Sequence, residues 1–278
     1  MNSLCNKFKE LAENSWDRIG FGRSHFNLRV FETTITQNLL FELIKFRDAN
    51  PTIRKRFLIY ESRNENRNGN DIALYLGKTR NKLTYYPMQA KVIYHPFRKN
   101  LSFGWYPSIN HVVGNSNRNQ IDLLINHAKS KKGLPLYLLY NYVEGFIHGK
   151  TYGCSIIEAR YIKSKYFSSG KWQIPNFAQL NPGKAVPWHY LVCPEQADSF
   201  SLKYPVYSPI EYSDRILQEE YQLETFSYNE LISNEEWEES QIVGPKDVTT
   251  KIRRQEDENL DFNPKFMWVI TEEGENNE

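Results

Sequence analysis

The order of segments constrains this chain more than any single residue does. A helix-period stretch at 34–48 is followed by three strand-like runs, Arg56–Glu61, Asp71–Leu76 and Leu83–Ile93. A helix at about 117–131 and an apolar strand at Pro135–Tyr142 come next. Ile35, Leu39, Leu43 and Phe46 fall on one face of the first helix. Thr34-x-x-Gln37 reads as its capping box, and Asn50-Pro51 ends it. Ile72, Leu74 and Leu76 alternate with Asp71, Ala73 and Tyr75, so that strand has two different faces. The succession αβββαβ predicts an α/β fold with a mixed central sheet flanked by helices. Pro87 lacks a ladder donor and predicts a bulge or an edge.

Around that core we read an N-terminal helical brace at 1–29, built on Phe8, Leu11, Ala12, Trp16 and Ile19 at helical spacing. The core itself spans 30–200, and 201–278 is an acidic C-terminal extension. Within the extension the apolar run Phe266–Ile270 can return to the sheet as a last strand. Residues 94–116 form a long excursion rich in aromatics, His and Asn. Cys154–Phe167 predicts a helix, and Val186–Cys193 a segment that includes a short strand.

Charge is distributed unevenly. Residues 211–278 hold 19 Asp/Glu against 6 Lys/Arg, a balance of −13. That leaves 29 Lys/Arg against 14 Asp/Glu in residues 1–210, a balance of +15. A basic body suits a polyanionic partner, because each neutralised phosphate releases counterions; a solvated basic surface explains it as well. The acidic tail either offsets charge or competes with nucleic acid for the basic face. No run approaches the ~18–20 apolar residues of a membrane span. The opening MNSLCNKFKELAEN carries acids and no apolar stretch, so no secretion signal is expected. Cys5, Cys154 and Cys193 are odd in number and widely spaced, which predicts no disulfide framework and a reducing, cytoplasmic location.

Two short pieces carry the chemistry. Gln89 and Lys91 sit two apart in one strand and project together. If the strands at 71–76 and 83–93 pair as a hairpin, Asp71 can join them. A carboxylate, an amide and an ammonium on one patch of sheet can seat a divalent cation beside a phosphodiester. A second constellation is His148, Cys154, His189 and Cys193, four borderline ligands for a tetrahedral Zn²⁺. A buried cysteine acting as a small hydrophobe is the competing reading.

The αβββαβ order, with Asp71 on the second strand and Gln89-Ala90-Lys91 on the third, resembles the PD-(D/E)XK superfamily of restriction-endonuclease-like nucleases in its Gln-x-Lys variant. The resemblance covers roughly residues 30–142. It implies a nuclease-like core in which Asp71 binds metal and Lys91 positions or deprotonates the attacking water. Gln120 resembles the glutamine with which some members touch the water or phosphate. An amide gives a cation less charge than a carboxylate, so a further acid is expected, from Glu32, Glu42, Glu61 or Glu65. The implied cofactor is Mg²⁺ or Mn²⁺, held by Asp71, by Glu32 or Glu65, and by the Ala90 carbonyl. The implied activity is endonucleolytic hydrolysis of DNA, in bacterial antiviral defence or DNA processing, with a homodimer or a regulatory protein as possible partner. The alternatives are a nucleic-acid-binding module with a degenerate site and an RNA-directed nuclease or toxin.

The chain is also similar to an uncharacterised bacterial domain family with a nuclease-like core. The matching pieces are Glu32-Thr33-Thr34-Ile35-Thr36, Glu65-x-x-x-Gly69-x-Asp71, Gln120-Ile121-Asp122-Leu123-Leu124, Pro135-Leu136-Tyr137 with Tyr140-Asn141, Tyr152-Gly153-Cys154, and Pro187-Trp188-His189-x-Leu191-Val192-Cys193.

Overall fold

Period-two patterning after residue 56 builds a mixed sheet, and helical patterning before it supplies one covering layer. The computed structural model describes residues 4–25, 28–62, 72–77, 79–96, 100–113, 118–146, 149–193, 224–233, 237–239 and 264–271. The helices are α1 Leu4–Ser24, α2 Glu32–Asp48, α3 Pro51–Arg54, α4 Gln120–Ser130, α5 Ala159–Tyr166, α6 Phe177–Leu180 and α7 Tyr228–Ile232. The strands are β1 Phe57–Ser62, β2 Ile72–Gly77, β3 Leu83–Val92, β4 Val112–Val113, β5 Arg118–Asn119, β6 Leu136–Tyr140, β7 Cys154–Glu158, β8 Phe167–Ser168, β9 Lys171–Trp172, β10 Val186–Pro187, β11 Thr225–Phe226, β12 Trp237–Glu239 and β13 Phe266–Thr271.

The main sheet runs β10-β7-β6-β3-β2-β13-β1-β12, with β11 beside the start of β3. The β3/β6 and β2/β13 pairs are parallel and the others antiparallel. The chain is therefore an α/β protein with a mixed central sheet. Helix α4 makes the crossover between β3 and β6 that a parallel pair requires.

The apolar run at the end of the chain lies inside this sheet. β13 is inserted between β1 and β2, and every residue of it is buried. Phe266, Met267, Trp268, Val269 and Ile270 are apolar without alternation, as a strand covered on both faces must be.

Alternation in the flanking strands sorts the two faces. Phe57, Ile59, Ile72, Leu74, Leu76, Tyr86, Met88 and Trp268 belong to the main core, under α1 and α2. Leu58, Tyr60, Ala73, Leu83, Tyr85, Met267 and Val269 form a second cluster on the opposite face, with Phe226, Tyr228 and Leu231 packed against it. Helix α4 lies on that second face, where Tyr85 Oη and His127 Nε2 are 3.0 Å apart.

Pro87 is accommodated within β3. The Tyr85 carbonyl points away from β2 and accepts from Leu134, and the backbone two residues on points the same way. Pairing with β6 begins only at Met88, so no β2 bond is lost at Pro87.

Three sequence expectations change. Helix α2 begins at Glu32 with Phe31 as an uncapped N-cap, so Thr34 and Gln37 make no capping box. Cys154–Phe167 is not one helix. Its first five residues pair with β6 as β7, because Ser155-Ile156-Ile157 offers β-branched side chains to a buried neighbour, and only then does α5 start. The short strand expected within Val186–Cys193 is present as the two-residue β10, and a 3-10 turn, Trp188–Leu191, follows it.

The third change concerns the cysteines. Cys5 and Cys193 are joined by a disulfide with Cα atoms 5.0 Å apart, which overturns the expectation of unlinked thiols. Residues 188 positions apart in sequence are brought together by α1, whose Phe8 ring stacks on Trp188 at 4.3 Å. The Trp188 indole N–H also donates to the Phe8 carbonyl at 2.8 Å. Spacing in sequence carries no trace of this packing. Among the described residues no helix is long and apolar enough to cross a membrane.

Close approach of α1 to the loop before β7 demands a glycine. A Cβ at Gly153 would run into the Ala12 backbone carbonyl, which a helix cannot move aside. Gly153→Ala is expected to cost about 3 kcal/mol of stability, read as a lowered urea midpoint. An unchanged midpoint would show that α1 is not seated there.

Candidate functional site

Strand β3 presents its odd-numbered side chains to the α4 side of the sheet. Gln89 lies opposite Tyr137 and Lys91 opposite Leu139 on the parallel neighbour β6. Both are withdrawn from solvent, with 1% and 4% of their surface exposed. A buried ammonium is costly unless it is hydrogen-bonded. Lys91 Nζ donates to Gln120 Oε1 at 2.8 Å. Gln120 is the first residue of α4, and its backbone N–H donates to the His111 carbonyl at 2.8 Å. Among the described residues no carboxylate pairs with Lys91; its acceptor is a neutral amide.

The His111 carbonyl is itself held in place. The turn Pro107–Asn110 follows Tyr106, whose buried hydroxyl donates to Asn141 Oδ1 at 2.6 Å. The Asn141 amide donates in turn to the Tyr152 carbonyl at 2.7 Å and to Ser155 Oγ at 2.9 Å. Tyr137 Oη donates to the Ile109 carbonyl at 3.2 Å. Burial drives the Tyr106 phenol far above its ordinary range, so it stays a neutral donor. A path of hydrogen bonds thus runs from Asn141 through the 106–111 segment to Gln120 and Lys91. Tyr106 and Asn141 are the residues that motif reading missed as positioning groups. Tyr140-Asn141 stood among the matched pieces, but nothing in the sequence tied it to Lys91.

Ala90 points its side chain to the other face of the sheet from Gln89 and Lys91, where it is buried. Backbone alternation directs its carbonyl toward β2, two residues past the last described pair, Ile72 with Met88. Asp71 and Glu65 lie outside the described residues. Glu32 opens α2 on the other face of the sheet, where its carboxylate adds to the burial that raises the Tyr140 phenol. Glu42 pairs with Lys7 of α1 at 3.3 Å, and Glu61 with Lys265 at 3.8 Å. Asp122, one turn into α4, is engaged by Lys163 at 2.7 Å. The structure therefore brings together Gln89, Lys91 and Gln120, and separates Glu32 and Glu42 from them by the thickness of the sheet.

The zinc constellation does not survive. Cys193 is bonded to Cys5 and has no thiolate to offer. The Cys154 thiol is buried, bonded to Ser15 Oγ at 3.4 Å, and pushed up to about 12 by burial. His189 is buried edge-on against Tyr190, and His148 lies outside the described residues.

His95, just beyond β3, is 2% exposed, and its Nε2–H donates to the Tyr142 carbonyl at 2.9 Å. Burial, with a smaller contribution from the Arg23 charge, pushes its pKa down to about 4. The unfolded chain takes up this proton near pH 6.5 and the native state only near 4, so stability falls with pH across that window. The expected loss is about 3 kcal/mol between pH 7 and 4. Urea titrations of wild type and His95→Gln check it: the variant should lose this part of the slope.

The site thus defines an α/β protein whose central strand carries a buried glutamine and a buried lysine, the lysine bonded to a half-buried glutamine at the start of the next helix. At family level, a match spans residues 4–276, and the chain belongs to a family of unknown function, DUF6615. No curated protein and no solved structure matches it.

Proposed function

We propose that this protein is a divalent-metal-dependent nuclease of the PD-(D/E)XK type, in the Gln-x-Lys variant, acting on DNA phosphodiesters. The observation that carries the reading is the Lys91–Gln120 hydrogen bond between a buried ammonium and a half-buried amide, with Gln89 on the same face of the same strand. The β2–β3–α4–β6 connection, with an antiparallel pair leading into a parallel one, supports it. The reading requires the ladder, described as far as Ile72 opposite Met88, to continue by one residue, which would set Asp71 across from Gln89.

The donor set fits Mg²⁺ or Mn²⁺, hard ions that take oxygen ligands. Asp71, the Ala90 carbonyl and the Gln89 amide oxygen would hold it, and an acid such as Glu65 would supply the charge that Gln89 lacks. When bound, the ion lowers the pKa of a water and neutralises developing negative charge. Lys91 steadies the phosphoryl oxygens and orients the water, and Gln120 fixes the ammonium through its amide oxygen. Burial strengthens both interactions.

The test is cleavage of supercoiled plasmid by the purified chain in Mg²⁺, in Mn²⁺ and in EDTA. Metal-dependent nicking that Asp71→Ala abolishes is the expected result. A second reading, a binding module without catalysis, is favoured by the neutral Gln89 in the carboxylate position. Retention of DNA without cleavage in either metal would establish it.

A further inference from the structure

Just past the end of β3 the chain builds a surface that the proposed chemistry does not use. Tyr94 and Trp105 exchange backbone hydrogen bonds in both directions at 2.8 Å, pinning the aromatic-rich excursion to the strand end. The Phe103 ring meets the Trp105 ring edge-on at 5.0 Å. The Arg23 guanidinium, from the last turn of α1, lies 6.0 Å over the Tyr94 ring and donates to the Ile93 carbonyl at 3.1 Å. Tyr94 and Phe103 remain 46% and 44% exposed. Large rings held this firmly by backbone and cation contacts, yet open to solvent, pay little entropy when a flat ligand stacks on them.

We infer that Tyr94 and Phe103, backed by Trp105 and Arg23, form a stacking platform for the unpaired bases of a single-stranded nucleic acid. Three arguments select that occupant. Every nucleobase offers a π-face, so aromatic platforms bind single strands without needing a fixed sequence, whereas a duplex keeps those faces covered. The neighbouring cation and the +15 balance of residues 1–210 complement a phosphate backbone. The platform also begins only three residues after Lys91, about 10 Å along the strand, on the opposite face of the sheet, so a pliable single strand that wraps the strand end can reach both where a stiff duplex cannot. The inference rests on the nucleic-acid reading above and narrows it to substrates with unpaired segments.

The experiment is fluorescence anisotropy in EDTA, where no bond is cut. The probes are a fluorescein-labelled oligothymidylate of about 15 nucleotides, within the span of small single-strand sites, and a duplex of the same length. Wild type is expected to bind the single strand at least tenfold more tightly than the duplex. Tyr94→Ala and Phe103→Ala should each weaken single-strand binding about tenfold. Tyr94→Phe, which keeps the ring and loses the hydroxyl, should bind as wild type. Equal affinity for both probes, or alanine variants that bind normally, overturns the inference. The single-strand preference is read on wild type alone, so it stands as a test even if a variant fails to fold. A wild type that binds through these rings yet leaves plasmid intact in Mg²⁺ would reject the catalytic reading and keep the platform. Plasmid cleavage without any single-strand preference would do the reverse.

Discussion

Lys91→Met is expected to abolish metal-dependent DNA cleavage, lowering the rate roughly a thousandfold, while leaving the protein folded. The argument has two halves. Methionine nearly matches the lysine stem in length, so the slot between β3 and α4 stays filled. Stability changes little, because losing a desolvated ammonium offsets leaving Gln120 Oε1 without its donor, each worth about 1–3 kcal/mol. Catalysis on the nuclease reading has no such offset, since the positive charge that would face the phosphoryl oxygens is gone. Lys91→Arg is not expected to rescue it, because a planar guanidinium neither fits nor points like an ammonium in a site only 4% exposed. Plasmid nicking alongside urea unfolding reads both halves. A variant that cuts normally removes Lys91 from the mechanism; one that unfolds shows that the pair holds the sheet together.

Reducing the Cys5–Cys193 bond is expected to lower stability by about 4–5 kcal/mol on chain-entropy grounds, since it ties residues 188 apart. The native contacts on either side, the Phe8–Trp188 stack and the indole hydrogen bond, remain in the reduced form. The effect therefore falls on the unfolded chain. A thermal midpoint lower by about 7–9 °C in dithiothreitol is the expected reading. Cys5→Ser should melt at the reduced value with or without reductant. Cys154 should not exchange into the bond, because its thiol is fully buried and pushed up to about 12. Identical midpoints in the two conditions would mean that the bond does not form.

Much of the architecture was legible because it is written in local periodicity. The stripe Ile35, Leu39, Leu43 and the alternation Ile72, Leu74, Leu76 placed α2 and β2 on the core they share. The pairing of Gln89 with Lys91 on one face followed from a spacing of two. What was not legible depends on contacts between distant segments. Cys154-Ser155-Ile156-Ile157 is short and apolar, and only its place beside β6 makes it a strand. The cystine needs α1 laid against Trp188, which no spacing rule foresees. Glu32 looked like a partner for the site because sequence cannot say which side of a sheet a helix will cover. Asn141 and Tyr106 escaped notice because they act on Lys91 through three intervening hydrogen bonds and a turn.

The position of β13 has a consequence for how this chain is made. On a ribosome β1 and β2 emerge some two hundred residues before the strand that separates them. In the folded sheet those two strands share no ladder with each other; Phe266–Thr271 is what joins the halves on either side. A nascent chain halted short of that point lacks a finished scaffold beneath the lysine on β3. If the protein severs DNA, its order of synthesis withholds the finished scaffold of the cutting site until that strand has arrived.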